Sequence, residues 1–152
     1  MNRSGSNWRV KPLIAACAVL LAGCATIALY SETAYQQTIG LKVDTLALMD
    51  KATESYTQHQ SEVSDLMLMI EKAYEYARGR PKNEVSTQQW EILRNPDGHL
   101  VGGFMRAWQD KQELSRTFID DMKGVVADAF DTISALESGK PRVKSAKISG
   151  GN

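Results

Sequence analysis

Between Tyr35 and Ala77 the chain has no proline and is rich in Ala, Leu, Met, Glu, Gln and Lys, the residues that enter a helix at least cost. Apolar residues recur there at alternating three- and four-residue steps: Ile39, Leu46, Met49, Tyr56, Val63, Met67, Ile70, Tyr74 and Ala77. That is the spacing of a seam buried against another helix. Ser31 and Thr33 are candidate N-caps, and Glu32 suits the positive end of the helix dipole. The pattern predicts one rod of roughly 69 Å, with Gly40 as its weak point. Lys42, Thr53 and Gln60 fall on the same seam, where polar groups fix register and partner number. Leu66 to Ile70 is apolar on every side, so one partner helix cannot cover it.

Arg78-Gly79-Arg80-Pro81-Lys82-Asn83 ends this rod with a glycine, a proline and a concentration of positive charge. Ser86-Thr87-Gln88-Gln89 has the form of a capping box and predicts a short helix through Leu93, with Trp90, Ile92 and Leu93 apolar. Asn95-Pro96-Asp97-Gly98 is a turn. After Gly102 and Gly103 a second long helix is predicted, running to Ser138 and stopped by Gly139 and Pro141. Its stripe is Phe104, Trp108, Phe118, Met122, Val125, Ala129 and Leu136, over roughly 52 Å. The expected fold is all-α: an elongated antiparallel hairpin of two long helices with a short connecting helix. Two helices alone bury only a narrow seam, so either the short helix completes it or two copies dimerise into a four-helix bundle.

Upstream of the rod stand the basic residues Arg3, Arg9 and Lys11, then the apolar run Leu13 to Leu21, then Ala22, Gly23 and Cys24. Basic start, apolar segment and small residues are the parts of an export signal. Leu21-Ala22-Gly23-Cys24 resembles the lipobox of bacterial lipoproteins. The resemblance implies cleavage before Cys24 and acylation of that cysteine, and two or three acyl chains give lasting attachment. Ala25, not Asp, follows the cysteine, which in lipoproteins of enteric type implies the outer membrane and a domain facing the periplasm. The alternative is an uncleaved signal anchor: Pro12 to Tyr30 nearly reaches the length of a membrane-spanning helix, its basic end in the cytoplasm and the partners then sought in the inner membrane. The chain thus divides into a signal peptide (1–23), a lipid-anchored junction (24–30), a helical hairpin domain (31–139) and a basic tail (140–152) of disordered composition.

The whole chain carries 18 Lys plus Arg and 18 Asp plus Glu, and losing Arg3, Arg9 and Lys11 leaves a mature charge of about −3. That argues against a nucleic-acid partner. With Cys17 removed and Cys24 acylated no disulfide forms, and stability must come from packing. Of the two histidines, His59 has only Glu62 at helical spacing. No Glu-x-x-His pair, Gly-rich phosphate loop, Cys-x-x-Cys or nucleophile elbow occurs, so neither a metal, another cofactor nor catalysis is expected. Beyond its acyl chains the protein is expected to act by contact, as an adaptor tethered by membrane lipid and binding an envelope protein or peptidoglycan. Arg78, Arg80, Lys82 and Trp90, held away from the membrane by the rod, are the candidate contacts. Lys140, Arg142, Lys144 and Lys147 are placed to meet anionic headgroups or peptidoglycan. Two other classes stay open. One is a plasmid- or phage-encoded exclusion lipoprotein; the other is a bundle that holds a small apolar ligand near Met67 to Ile70 and Trp108.

Overall fold

The computed structural model describes residues 27–141, and among these all regular structure is helical. The expectation of an all-α domain therefore holds, but the two rods do not run unbroken. The first divides into α1 (Glu32–Asp50), a 3-10 turn (Lys51–Thr53) and α2 (Tyr56–Arg78). The second divides into α4 (Val101–Lys111) and α5 (Arg116–Ser138), and α3 (Glu84–Arg94) lies between the two halves of the chain.

Neither break contains glycine or proline; each is made possible by the other. The Tyr56 amide donates to the Gln112 carbonyl and the Leu114 amide to the Ala52 carbonyl, both at 2.8 Å. The Trp108 indole N–H donates to the Glu54 carbonyl at 2.9 Å. Backbone groups released from the two helices are thus satisfied across the gap, as buried polar groups must be. Ser115 caps α5 by accepting from the Phe118 amide, and Gln112 takes a φ of 65°.

Folding back at 51–55 brings Ser31 Oγ to within 2.9 Å of the Tyr76 hydroxyl, so α1 and α2 are antiparallel. Lys42–Asp131 and Asp50–Lys123, each 2.5 Å, set α5 antiparallel to α1 on its other side. α3 lies along the half of α2 near its C-terminus, where Arg94 meets Glu71 at 2.8 Å. α4 continues along the other half, with Tyr56 and Trp108 in edge contact at 5.6 Å between ring centres. α3 and α4 stacked end to end make one column. With α1, α2 and α5 they form an up-down-up-down bundle inside a single chain. The sequence leaves the seam to be completed by the short helix or by a second copy; here α3 packs on both α2 and α5. Gly102 and Gly103 permit the joint: a Cβ on them would stand 2.3 Å from the Arg94 carbonyl oxygen and 1.9 Å from that of Gly98.

The break also resets the phase of the seam. The core face of α1 is Ala34, Thr38, Leu41, Thr45, Leu48 and Met49, while Ile39 turns outward and Lys42 reaches Asp131 at the edge. From Met49 onward the predicted stripe is largely correct: Tyr56, Val63, Ile70, Tyr74 and Ala77 are buried. Leu66 and Ile70 face the core and Leu68 and Met69 face solvent. Among the described residues no helix is long and apolar enough to cross a membrane.

Candidate functional site

Both ends of the described chain meet at one pole of the bundle, and this pole is the candidate site. The Ala28 amide donates to the Lys82 carbonyl (2.8 Å) and the Tyr30 amide to the Pro141 carbonyl (2.9 Å). Ser31 then caps α1 by accepting from the Ala34 amide at 3.2 Å, as its position predicts. Beside this junction Ile27 to Ser31, Tyr76, Arg80, Pro81 and Lys82 line an open cavity of about 580 Å³. Its walls are mostly apolar.

Behind it lies a buried ionic knot. Glu137, on the last turn of α5, is only 1% exposed. One carboxylate oxygen accepts from Arg80 Nη1 at 2.8 Å, and the other from Lys140 Nζ. Lys140 Nζ also donates to Asn83 Oδ1 and to Ser86 Oγ, so its three protons are all used. Asn83 Nδ2 closes the end of α2 by donating to the Ala77 carbonyl at 2.8 Å, and Arg80 Nη2 donates to the Leu29 carbonyl. Burial works to raise the Glu137 pKa, but hydrogen bonds from Lys140, Arg80 and Ser86 outweigh it and hold the carboxyl below its ordinary range. Burial pushes the Lys140 ammonium down against the pull of Glu137. The arrangement is a lock joining the 27–31 segment, the α2–α3 loop and the end of α5.

The predicted contact residues do not form one surface. Arg78 is exposed and pairs with Glu75 at 2.9 Å. Arg80 is drawn into the knot. Lys82 stands in the left-handed region with φ 60°, where the chain turns to receive Ala28. Trp90 is 3% exposed and meets Phe130 edge-on at 6.0 Å, so it is a core residue and not a contact. The segment 78–82 lies against residues 27–31, not at the far end of a rod. Ser86 is not a cap either, because α3 begins at Glu84 after Asn83, which leaves the Ser86 hydroxyl for Lys140. Lys140, expected in a solvated tail, is buried. Cys24, the signal peptide and residues 142–152 lie outside the described residues.

At the opposite pole His59 bridges two carboxylates, with Nδ1 2.9 Å from Glu62 and Nε2 2.8 Å from Glu54. Its ring lies 5.6 Å from that of Trp108. Both nitrogens are engaged, and among the described residues no three His, Cys, Asp or Glu side chains are disposed to hold a metal ion. Hydrogen bonds that the ring donates to Glu62 and Glu54 raise the His59 pKa above 6.5. Lys51, 2.5 Å from Glu62, is the other charge in this group. A raised imidazole pKa stabilises the fold below the unfolded value, and this contribution is lost as pH rises through the folded value. The stability difference between wild type and His59→Gln is therefore expected to be largest on the acid side of 6.5 and to shrink above it, as urea melts at several pH values would show. A difference that is flat across that range would overturn the assignment.

Ile70 and Trp108, where the sequence places a ligand pocket, are wholly buried in the core. The nearby concavity of about 420 Å³, lined by Tyr56, Val63, Met67, Met105 and others, is an open groove. Comparison with known proteins gives no match to a family model, a curated protein or a solved structure.

Proposed function

We propose that this chain is a lipid-anchored protein of the bacterial cell envelope that acts by binding another macromolecule, with Cys24 as the acylated residue. The observation that carries the reading is the build of the junction. Only Ala25 and Thr26 separate Cys24 from Ile27, and the segment from Ala28 is already held by Lys82, Arg80 and Pro141. An anchor at Cys24 would then hold the bundle in a set attitude, its far pole about 35 Å away along the 23 residues of α5. A flexible linker would leave it to swing. Confinement to a membrane raises the effective concentration for a partner in the same envelope. The partner surface in this reading lies on the sides of the bundle, since Trp90 and Arg80 serve the core and the lock.

The test is the intact mass of the membrane-extracted protein beside that of Cys24→Ser. A mass equal to residues 24–152 plus acyl chains, absent from the variant, is the expected result. The mass of the whole unmodified chain would overturn the anchor in favour of an uncleaved signal anchor ending before Ala28, which the bundle already holds.

A further inference from the structure

At the pole where the chain enters the bundle, the segment 27–31 turns successive side chains outward and inward. Ala28 is buried, while Ile27 and Leu29 on either side of it are 44% and 49% exposed. Backbone bonds fix their direction: the Ala28 amide donates to the Lys82 carbonyl, the Tyr30 amide to the Pro141 carbonyl, and the Leu29 carbonyl accepts from Arg80. Neither side chain turns inward unless these bonds break. Tyr76 is exposed beside them, its hydroxyl 2.9 Å from Ser31 Oγ and its ring centre 5.9 Å from the Arg80 guanidinium. All of them line the open, mostly apolar cavity of this pole. Val43, Val85 and Val125 are as exposed on the sides of the bundle, so exposure alone does not distinguish the pole. Its place in the chain does.

We propose that this pole rests in the headgroup layer of the membrane that holds the chain, with Ile27 and Leu29 directed into the lipid and Tyr30 and Tyr76 at its polar boundary. The proposal rests on membrane attachment just upstream of Ile27. Three residue steps lead from Cys24 to Ile27, a reach of at most about 11 Å. A headgroup layer is roughly 5–8 Å deep. Acyl chains on Cys24 lie in the hydrocarbon, so Ile27 is held within the headgroups or close above them. An uncleaved anchor ending before Ala28 would place it no farther away. Tyrosine suits such a boundary, where one end of the ring is in apolar surroundings and the hydroxyl is wet. Charge is not what draws the pole to lipid, because Arg78 is answered by Glu75, Arg80 and Lys140 by Glu137, and Lys82 shares this end with Glu32 and Glu84. The attraction is apolar. A weak contact suffices, since the anchor already confines the pole to the surface. It adds to the short junction a second hold that sets the tilt of the bundle.

The experiment uses the full chain in vesicles of phosphatidylethanolamine and phosphatidylglycerol that carry a nitroxide on the lipid headgroup. In a Cys17→Ala parent, a thiol-reactive fluorophore is attached through Leu29→Cys at the pole, Val125→Cys on a side of the bundle or Glu113→Cys near its far end. The Leu29 label is expected to be quenched roughly fivefold or more strongly than the other two, because only it lies at headgroup depth. With the label moved to Ile27→Cys, adding Leu29→Asp is expected to halve the quenching and, as a change at an exposed site, to leave the melt unchanged. Three outcomes would overturn the contact: equal weak quenching at all positions, stronger quenching at Val125 than at Leu29, or a Leu29 label shielded from water yet unquenched by lipid, which would put another part of the protein there. The parent separates this from the anchor. If Cys24 is acylated the parent takes up no label, and any of those three results then refutes the contact alone. A parent that takes up label refutes acylation. The positions are then read in the Cys17→Ala, Cys24→Ser background, where the same strong Leu29 quenching would support lipid contact beside an uncleaved anchor, and a chain that does not stay with the vesicles would overturn both.

Discussion

Trp90→Ala is expected to lower the stability of the fold by about 3–5 kcal/mol, the range for truncating a buried large aromatic. The indole sits where α3 must hold against α5, edge-on to Phe130, with Leu93 completing the same face. α3 has only 11 residues, too few to be stable without packing, so the cavity falls where the third column is weakest. Since a domain of this kind has roughly 5–15 kcal/mol in total, the thermal midpoint should fall by roughly 10–20 °C. Trp90→Phe, which keeps most of the ring contact, should recover more than half of the loss. Differential scanning calorimetry of the three proteins decides the matter. An unmoved midpoint in Trp90→Ala would show that the indole is not part of the core and would return it to the surface role that its sequence position implies.

That reversal illustrates what local pattern can and cannot carry. A tryptophan in a short amphipathic helix between two turns has the same sequence signature whether its face meets a partner or its own bundle. The helical class, the Ser31 cap and the stop after Ala77 were legible because they depend on propensity and on groups a few residues apart. The breaks at 51–55 and 112–115 were not, because their backbone groups are satisfied by each other across about 60 residues of sequence. Ser55 and Ser115, each directly before a helix, were the local traces of those breaks. Without those breaks Phe104 to Lys111 reads as part of α5, although that segment packs with α3 on α2. The unbroken rod also puts Ile39 on the core stripe, whereas the phase of α1 turns it to solvent.

The lock at the junction was illegible for a related reason. Lys140 stands at the start of a stretch that lacks acidic residues and is otherwise rich in Lys, Ser and Gly, so composition assigned it to a solvated tail. Its partner Glu137 lies three residues upstream, a spacing at which a helical pair is ordinarily exposed and weak. Only the return of Asn83 and Ser86 from the other half of the chain makes the site buried.

Glu137→Ala is accordingly expected to be the most damaging single polar substitution in the bundle, at about 3–5 kcal/mol, because it strands Arg80 and Lys140 as buried charges without a counterion. Lys140→Met should cost less, since Glu137 keeps Arg80 and the methionine fills much of the same space. The double variant should lose less than the sum of the singles, because the second change removes a charge that the first left unpaired. The Glu137 carboxyl is held below 4.5 in the fold, so its contribution is present above that pH and declines as pH falls through the folded value. The stability difference between wild type and Glu137→Gln should therefore be full at neutral pH and narrow on acidification. Hydrogen exchange locates the effect: with Glu137 gone, Arg80 is no longer fixed beside the Leu29 carbonyl, and the amides of Ala28 and Tyr30 should exchange faster than those of the core. If those two amides kept their protection while the core loosened, the knot would be a core element alone and the junction would be held by its backbone bonds.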